Sequence, residues 1–155
     1  MLVNPKIPQN TGTIGRTCVS IGATLHLVKP FAFELNEKRV RRAGLDYWQD
    51  LNLKVYENID EFLQINPINK RHFFATTKTK KPYFDCEFKE WDFLYFGSED
   101  AGLPEWLFNT KGQSINIPMK VKYRSLNLSN AVNIIAYEAL RQNYKAFLKS
   151  HFATI

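Results

Sequence analysis

The segment Asp92-Phe-Leu-Tyr-Phe-Gly-Ser-Glu-Asp-Ala-Gly-Leu-Pro104 decides the fold. Its aromatic and apolar start, Phe93 to Phe96, is typical of a buried strand. Two glycines then flank an acidic pair, at the place where the carboxyl end of a strand opens onto a ligand in an α/β sheet. Glycine lets the backbone approach a ligand closely or adopt a positive φ. Taken alone, however, a plain turn before a helix that starts at Pro104 explains the segment better than a ligand site does.

Similar short apolar runs elsewhere in the chain alternate with helical patterns. The further predicted strands are Leu25–Pro30, Leu53–Tyr56, His72–Thr77 and Ser114–Pro118. The predicted helices are Thr11–Gly22, Ile59–Ile65 with Asn58 as its N-cap, and a long helix that begins near Leu126. Strands that alternate with helices predict an α/β fold, a mostly parallel sheet with helices on both faces. No linker divides the chain, so we expect one domain over residues 1–155.

The composition favours a polyanionic partner and gives no sign of a metal. The net charge is +6, and a basic surplus attracts RNA. Lysines and arginines cluster at 38–42, at 78–81 and at 120–124. The two cysteines and three histidines have no metal-ligand spacing, and we expect no metal. The sequence shows neither a secretion signal nor an apolar run long enough to span a membrane. We therefore expect a cytoplasmic protein with no membrane partner.

Common nucleotide-binding and hydrolase motifs are absent from the sequence. Gly12, Gly15 and Gly22 do not form the dinucleotide fingerprint, and neither a P-loop nor a nucleophile elbow occurs. This argues against dehydrogenases, NTPases and the common hydrolases.

Two further segments carry more polar residues than local structure requires. The long helix opens with Arg124-Ser-Leu-Asn-Leu-Ser-Asn130, whereas a helix cap needs only one such side chain. Near the start of the chain, Pro8-Gln-Asn-Thr-Gly12 leads into Arg16, which could be a plain surface arginine.

These three segments, together with Ile117-Pro-Met119, resemble the three signature motifs of the SPOUT methyltransferases. The closer similarity is to the minimal tRNA 2′-O-methyltransferases that modify the wobble nucleotide, cytidine or modified uridine, and it covers nearly the whole chain. Lys38–Tyr47 and Tyr137–Gln142 also resemble that subfamily. The resemblance implies a SPOUT fold with a C-terminal trefoil knot, a homodimer, S-adenosylmethionine as cofactor and tRNA as substrate.

The resemblance also implies roles for individual residues. The catalytic set would be Arg16, Asn10, Ser125 and Asn127. The cofactor would be held by Ala75, Gly97, Glu99, Ile117 and Ser125. RNA would be bound by Arg39, Arg41 and Arg42, and the dimer interface would include Tyr137 and Leu140. A guanidinium stays protonated in proteins, so we expect Arg16 to clamp a phosphate and orient the ribose.

Two alternative functions remain open on the sequence. One keeps the chemistry but takes ribosomal RNA as substrate, and the other is a non-catalytic RNA-binding module without affinity for S-adenosylmethionine. Cys18 could be imagined as a nucleophile, but a small buried apolar residue in the first helix explains it better.

Overall fold

The computed structural model describes residues 1–31, 33–35, 47–120 and 125–151. The strands in these residues are β1 Leu2–Val3, β2 Leu25–Val28, β3 Leu53–Tyr56, β4 His72–Ala75, β5 Phe93–Tyr95 and β6 Gln113–Ile115. The helices are α1 Pro8–Ser20, α2 Ile59–Ile65, α3 Leu128–Gln142 and α4 Tyr144–His151, and short 3₁₀ turns cover Trp48–Asp50, Tyr83–Asp85 and Glu105–Asn109.

All described strand pairs are parallel, as the alternating pattern predicts. The strands form two three-stranded groups, in the orders β1-β2-β3 and β5-β4-β6. A parallel bridge between Leu2 and Phe96 joins them, because the Val3 N–H donates to Phe96 O (2.9 Å) and the Phe96 N–H to Met1 O (3.0 Å). The order across the joined sheet is therefore β3-β2-β1-β5-β4-β6.

Successive residues of the strands point to opposite faces of this sheet and enter two separate cores. Leu2, Leu27 and Phe73 pack with side chains of α1 and α3 on one face. Their neighbours Val3, Val28 and Phe74 pack on the other face, with Phe62 of α2 and Leu107 of the third 3₁₀ turn. Helical segments therefore cover both faces.

Helix boundaries differ from the sequence-based expectations where capping residues act. Helix α1 starts at Pro8, three residues before the predicted start at Thr11, because proline is well suited to the first helical position. The long helix starts at Leu128, and Asn127 is its N-cap. The predicted cap of α2 is confirmed, since Oδ1 of Asn58 accepts from the Glu61 N–H (2.9 Å).

The strand predicted over Ser114–Pro118 ends earlier than expected. β6 ends at Ile115, and Asn116 instead pairs with the segment before the second 3₁₀ turn. The Asn116 N–H donates to Lys81 O (2.8 Å), and the Tyr83 N–H donates to Asn116 O (2.8 Å). The Asn116 side chain also donates to Thr79 O (2.7 Å). These bonds tie the loop after β4 to the end of β6.

Candidate active site

The loop after β5 depends on two glycines, Gly97 and Gly102, whose backbones lie close together. Gly97 has no room for a side chain, since a Cβ there would lie 1.9 Å from the carbonyl carbon of Gly102. Gly102 has a φ of +71°, and its N–H donates to Ser98 O (3.0 Å). Both glycines are therefore required by the backbone, one by close approach and one by its φ.

This loop forms one side of an open pocket of about 420 Å³. The pocket lies beyond the carboxyl ends of β4, β5 and β6, which is where parallel sheets usually bind ligands. Its volume is in the range of small-molecule sites. The predicted site residues that line it are Asn10, Ala75, Gly97, Glu99, Ile117, Ser125 and Asn127. The structure thus brings four segments that are distant in sequence around one cavity.

Glu99 connects the glycine loop to the start of α1. The N-cap Ile7 makes no side-chain cap of its own, and Glu99 takes that role from another part of the chain. Its Oε2 accepts from the Lys6 N–H (2.8 Å), and its Oε1 accepts from the Ile7 N–H (3.1 Å) and from Asn10 Nδ2 (2.9 Å). A carboxylate at a helix N-terminus is stabilised by the helix dipole.

A second side-chain link joins α1 to the N-terminus of α3. The Nδ2 group of Asn127 donates to Oδ1 of Asn10 (3.0 Å), and its Oδ1 accepts from the Ser129 N–H (2.9 Å). Asn10 is buried, whereas Asn127 is exposed. The predicted catalytic residues Asn10 and Asn127 are therefore in direct contact, and Ser125 lines the same pocket.

Sequence reasoning missed several residues of the pocket wall. Thr76, Thr77 and Lys78 follow β4 directly, so the position of ligand sites at strand ends could have indicated them. Among the apolar wall residues, Leu103, Met119 and Leu126 lie within the motif segments although none was predicted as a site residue, and Phe108 lies outside those segments.

Arg16 is not among the pocket-lining residues. It lies exposed on α1, and its guanidinium carbon sits 4.9 Å from the centre of the Tyr47 ring. At that distance the contact is a cation–π interaction. The proposed RNA-binding residues Arg39, Arg41 and Arg42 lie outside the described residues.

The two residues expected at a dimer interface lie on α3. Tyr137 is 51% exposed, and Leu140 is partly buried. Tyr137 thus presents a large aromatic surface to solvent in the single chain.

The histidines and cysteines with described side chains are structural rather than part of the pocket. Burial lowers the pKa of His26 and of His72 to about 4, and each ring bonds a tyrosine hydroxyl. Cys18 is buried in α1, where burial raises the pKa of its thiol to about 11. A thiol with a raised pKa is a poor nucleophile at neutral pH.

Two features are absent from the described residues. These residues hold no group of three or more potential metal ligands. In the same part of the chain, no helix has the length and apolar character needed to cross a membrane.

Comparisons with known proteins agree with this arrangement. Residues 1–137 match the SpoU rRNA Methylase family. A protein of Geobacillus stearothermophilus named putative tRNA (cytidine(34)-2′-O)-methyltransferase is 42% identical over 146 residues, 92% of each chain. A solved structure described as "Structural insights into the 2-OH methylation of C/U34 on tRNA" has a TM-score of 0.87 and 39% identity, over 93% of this chain and 94% of that one.

A second solved structure adds a bound cofactor. The SpoU methyltransferase AviRb from Streptomyces viridochromogenes, in complex with AdoMet, has a TM-score of 0.82 and 25% identity over 92% of this chain and 56% of that one. Together with the family match over residues 1–137, these similarities establish that the chain belongs to the SpoU rRNA methylase family.

Proposed function

We propose that the protein transfers a methyl group from S-adenosylmethionine to the ribose 2′-hydroxyl of the wobble nucleotide, cytidine or modified uridine, in the tRNA anticodon loop. The observation that carries this proposal is the single pocket that the Gly97 loop, α1 and the start of α3 form together. A relative named for this reaction is 42% identical over 92% of its own length. The proposal includes one domain over residues 1–155 that acts in the cytoplasm.

The pocket residues suit S-adenosylmethionine. Gly97 lines the pocket without a side chain, which lets a ligand approach its backbone. The apolar side chains of Ile117, Met119 and Leu126 suit an adenine ring. Ala75, Gly97, Ile117 and Ser125 would hold the cofactor. When bound, it would supply an electrophilic methyl group on its sulfonium sulfur.

The protein's own part in this reaction is alignment. Among the described residues that line the pocket, the charged side chains are Lys78 and Glu99, and the Glu99 carboxylate already accepts three hydrogen bonds. Holding two reacting groups in the correct geometry supplies a large part of a barrier reduction. Asn10, Ser125 and Asn127 would orient the ribose within the pocket.

Arg16 fits a contact with the RNA backbone. Its exposed position on α1, outside the pocket wall, suits a phosphate clamp. Its guanidinium does not lose a proton in proteins, so Arg16 would orient the target strand, with a phosphate oxygen as the proton acceptor. Arg39, Arg41 and Arg42 would supply further phosphate contacts.

The proposed assembly is a homodimer with a trefoil knot in the C-terminal part of each chain. The exposed ring of Tyr137 on α3 supports an interface there, and Leu140 would lie in the same interface. Hydrogen bonds between Asn116 and the loop after β4 tie that loop to the C-terminal part of the chain, which supports close packing there.

The test is methyl transfer from radiolabelled S-adenosylmethionine to a tRNA with cytidine 34. We expect label in this tRNA and none in the same tRNA with 2′-deoxycytidine at position 34. Label in both would place the reaction elsewhere, and label only in a ribosomal RNA sample would favour the ribosomal alternative. Calorimetry with S-adenosylmethionine alone separates the enzyme from a non-catalytic RNA-binding module, which would show no binding.

A further inference from the structure

A row of hydrogen bonds in the pocket wall joins the side chains of Glu99, Asn10 and Asn127. The Glu99 end determines which group of each amide donates and which accepts. An ionised carboxylate can only accept hydrogen bonds. The Glu99 carboxylate accepts from two backbone N–H groups as well as from Asn10. The amide group of Asn10 that faces Glu99 is therefore its NH₂, at 2.9 Å.

The Asn127 end of this row of hydrogen bonds determines the same donor and acceptor groups independently. Oδ1 of Asn127 faces the backbone N–H groups of Ser129 (2.9 Å) and Asn130 (3.4 Å), which can only donate. Its NH₂ must then face Asn10, and Oδ1 of Asn10 accepts it at 3.0 Å. Because both ends have obligate partners, both amide orientations follow from chemistry and not from an arbitrary assignment of oxygen and nitrogen.

This arrangement of donors and acceptors determines what Asn127 can offer a ligand. Its oxygen already has three donors, since the Ser129 hydroxyl also bonds it (2.6 Å). Its nitrogen uses one N–H on Asn10, and the second has no acceptor within the described part of the chain. The side chain is exposed and lines the pocket. Asn127 therefore faces a ligand as a donor.

We infer that Asn127 donates a hydrogen bond to an acceptor oxygen of the bound ligands, and that Glu99 and Asn10 are positioning residues that anchor its Nδ2 group in the pocket wall. The inference rests on the proposed function. The oxygen belongs to the RNA, as a ribose or phosphate oxygen, or to the carboxylate of the cofactor's methionine group. In either case Asn127 cannot accept the proton of the target hydroxyl.

The test uses two substitutions that keep the helix cap and remove the Nδ2 amide donor, because the serine hydroxyl is shorter than the amide and an aspartate carboxylate only accepts. Serine and aspartate are as good at N-caps as asparagine, so Asn127→Ser and Asn127→Asp should keep α3 intact. The serine variant is neutral and the aspartate variant adds a charge. Asn58→Asp, at the N-cap of α2, is the matched control and should leave activity unchanged. The measurements are thermal unfolding, calorimetry with S-adenosylmethionine, and single-turnover methylation at saturating tRNA.

Wild-type protein that neither binds S-adenosylmethionine nor methylates tRNA would count against the proposed function itself. If the wild type is active, we expect both Asn127 variants to lose at least about tenfold in methylation rate or in affinity for S-adenosylmethionine. A loss of this size is the effect of one hydrogen bond to a polar or charged acceptor. A loss in rate with an unchanged cofactor Kd assigns the oxygen to the RNA, and a raised cofactor Kd assigns it to the cofactor. A serine variant within about twofold of wild type in both measurements would overturn the inference.

The positioning role of Glu99 is tested by a double-mutant cycle. Glu99→Gln replaces one accepting oxygen with a donor, so Asn10 is no longer forced into one orientation. We expect a lower kcat or weaker cofactor binding in this variant, and a smaller effect of Asn127→Ser in its background than in wild type. Additive effects would show that Glu99 does not act through Asn127.

Discussion

Gly97 and Gly102 approach so closely that a Cβ at position 97 would lie 1.9 Å from the carbonyl carbon of Gly102. Movement of a flexible side chain cannot relieve that contact, because the three nearest atoms all belong to the backbone of Gly102 and Leu103. Gly97→Ala must therefore shift the loop that forms one side of the pocket. We expect this variant to lose binding of S-adenosylmethionine by at least about tenfold, as calorimetry would measure.

Gly102 provides the matched control for this variant. A Cβ there meets nothing within 4 Å, and the residue is glycine only because its φ is +71°. Asparagine tolerates such a φ, so Gly102→Asn should retain cofactor binding. If Gly97→Ala binds as tightly as Gly102→Asn does, the close approach at Gly97 does not matter to the site.

Local patterns predicted much of the fold. The alternation of apolar runs and helical stretches indicated a parallel α/β sheet, and the spacing of Asn58 and Glu61 indicated the cap of α2. Such features depend on neighbouring residues, and the sequence contains them directly. The join between β1 and β5 through Leu2 and Phe96 depends instead on residues that meet only in the folded chain.

The candidate site shows the same division. Seven residues that the motif resemblance indicated do line the pocket. The hydrogen-bond partners of the Glu99 carboxylate could not be predicted from the sequence. Asn10 lies 89 residues away from Glu99, and α1 begins earlier than its pattern suggested. The predicted role of Glu99 in cofactor binding stays a prediction beside its contacts with α1. No local signal marked Phe108 as part of the wall, because it lies outside every motif segment.

The buried histidines predict a loss of stability in acid. Burial lowers the pKa of His72 from 6.5 to about 4, and Nδ1 of its ring lies 2.5 Å from the hydroxyl oxygen of Tyr95. The unfolded chain takes up a proton near pH 6.5, whereas the folded chain does so only near pH 4. Stability is therefore complete above about pH 6.5 and falls as the pH drops towards 4, by up to about 1.4 kcal/mol per pH unit for each such histidine.

Denaturant unfolding between pH 7 and pH 4 checks this expectation. The double variant His72→Phe with Tyr95→Phe removes both polar partners and keeps their shapes, which limits its cost at neutral pH. Its free energy of unfolding should fall less steeply with acid than that of wild type. His26, whose pKa burial also lowers to about 4, should maintain the remaining slope. An equally steep fall in the double variant would contradict the role of His72.

The proposed dimer predicts that a charge on α3 separates the subunits. Tyr137 is 51% exposed in the single chain, and burying its ring against a second copy would stabilise the dimer. Tyr137→Glu should therefore shift the mass measured by light scattering from dimer to monomer at micromolar concentration. Phe84 is equally exposed, at 54%, but lies outside α3, so Phe84→Glu should leave the mass unchanged. A monomeric wild type would remove the dimer from the proposal.

Arg16 and the arginines at 39–42 should fail in different ways when they are replaced. Phosphate contacts make binding depend on salt and do not read the sequence. Arg41→Ala or Arg42→Ala should weaken tRNA binding and reduce the slope of log K against log salt by about one per contact, with little change in turnover at saturating tRNA.

Arg16→Ala should instead lower turnover at saturating tRNA by at least about tenfold and leave cofactor binding intact, because its contact matters mainly as the hydroxyl is aligned and attacked. Single-turnover methylation and tRNA binding at several salt concentrations separate the two behaviours. Normal turnover of Arg16→Ala once tRNA is saturating would make Arg16 a binding residue only.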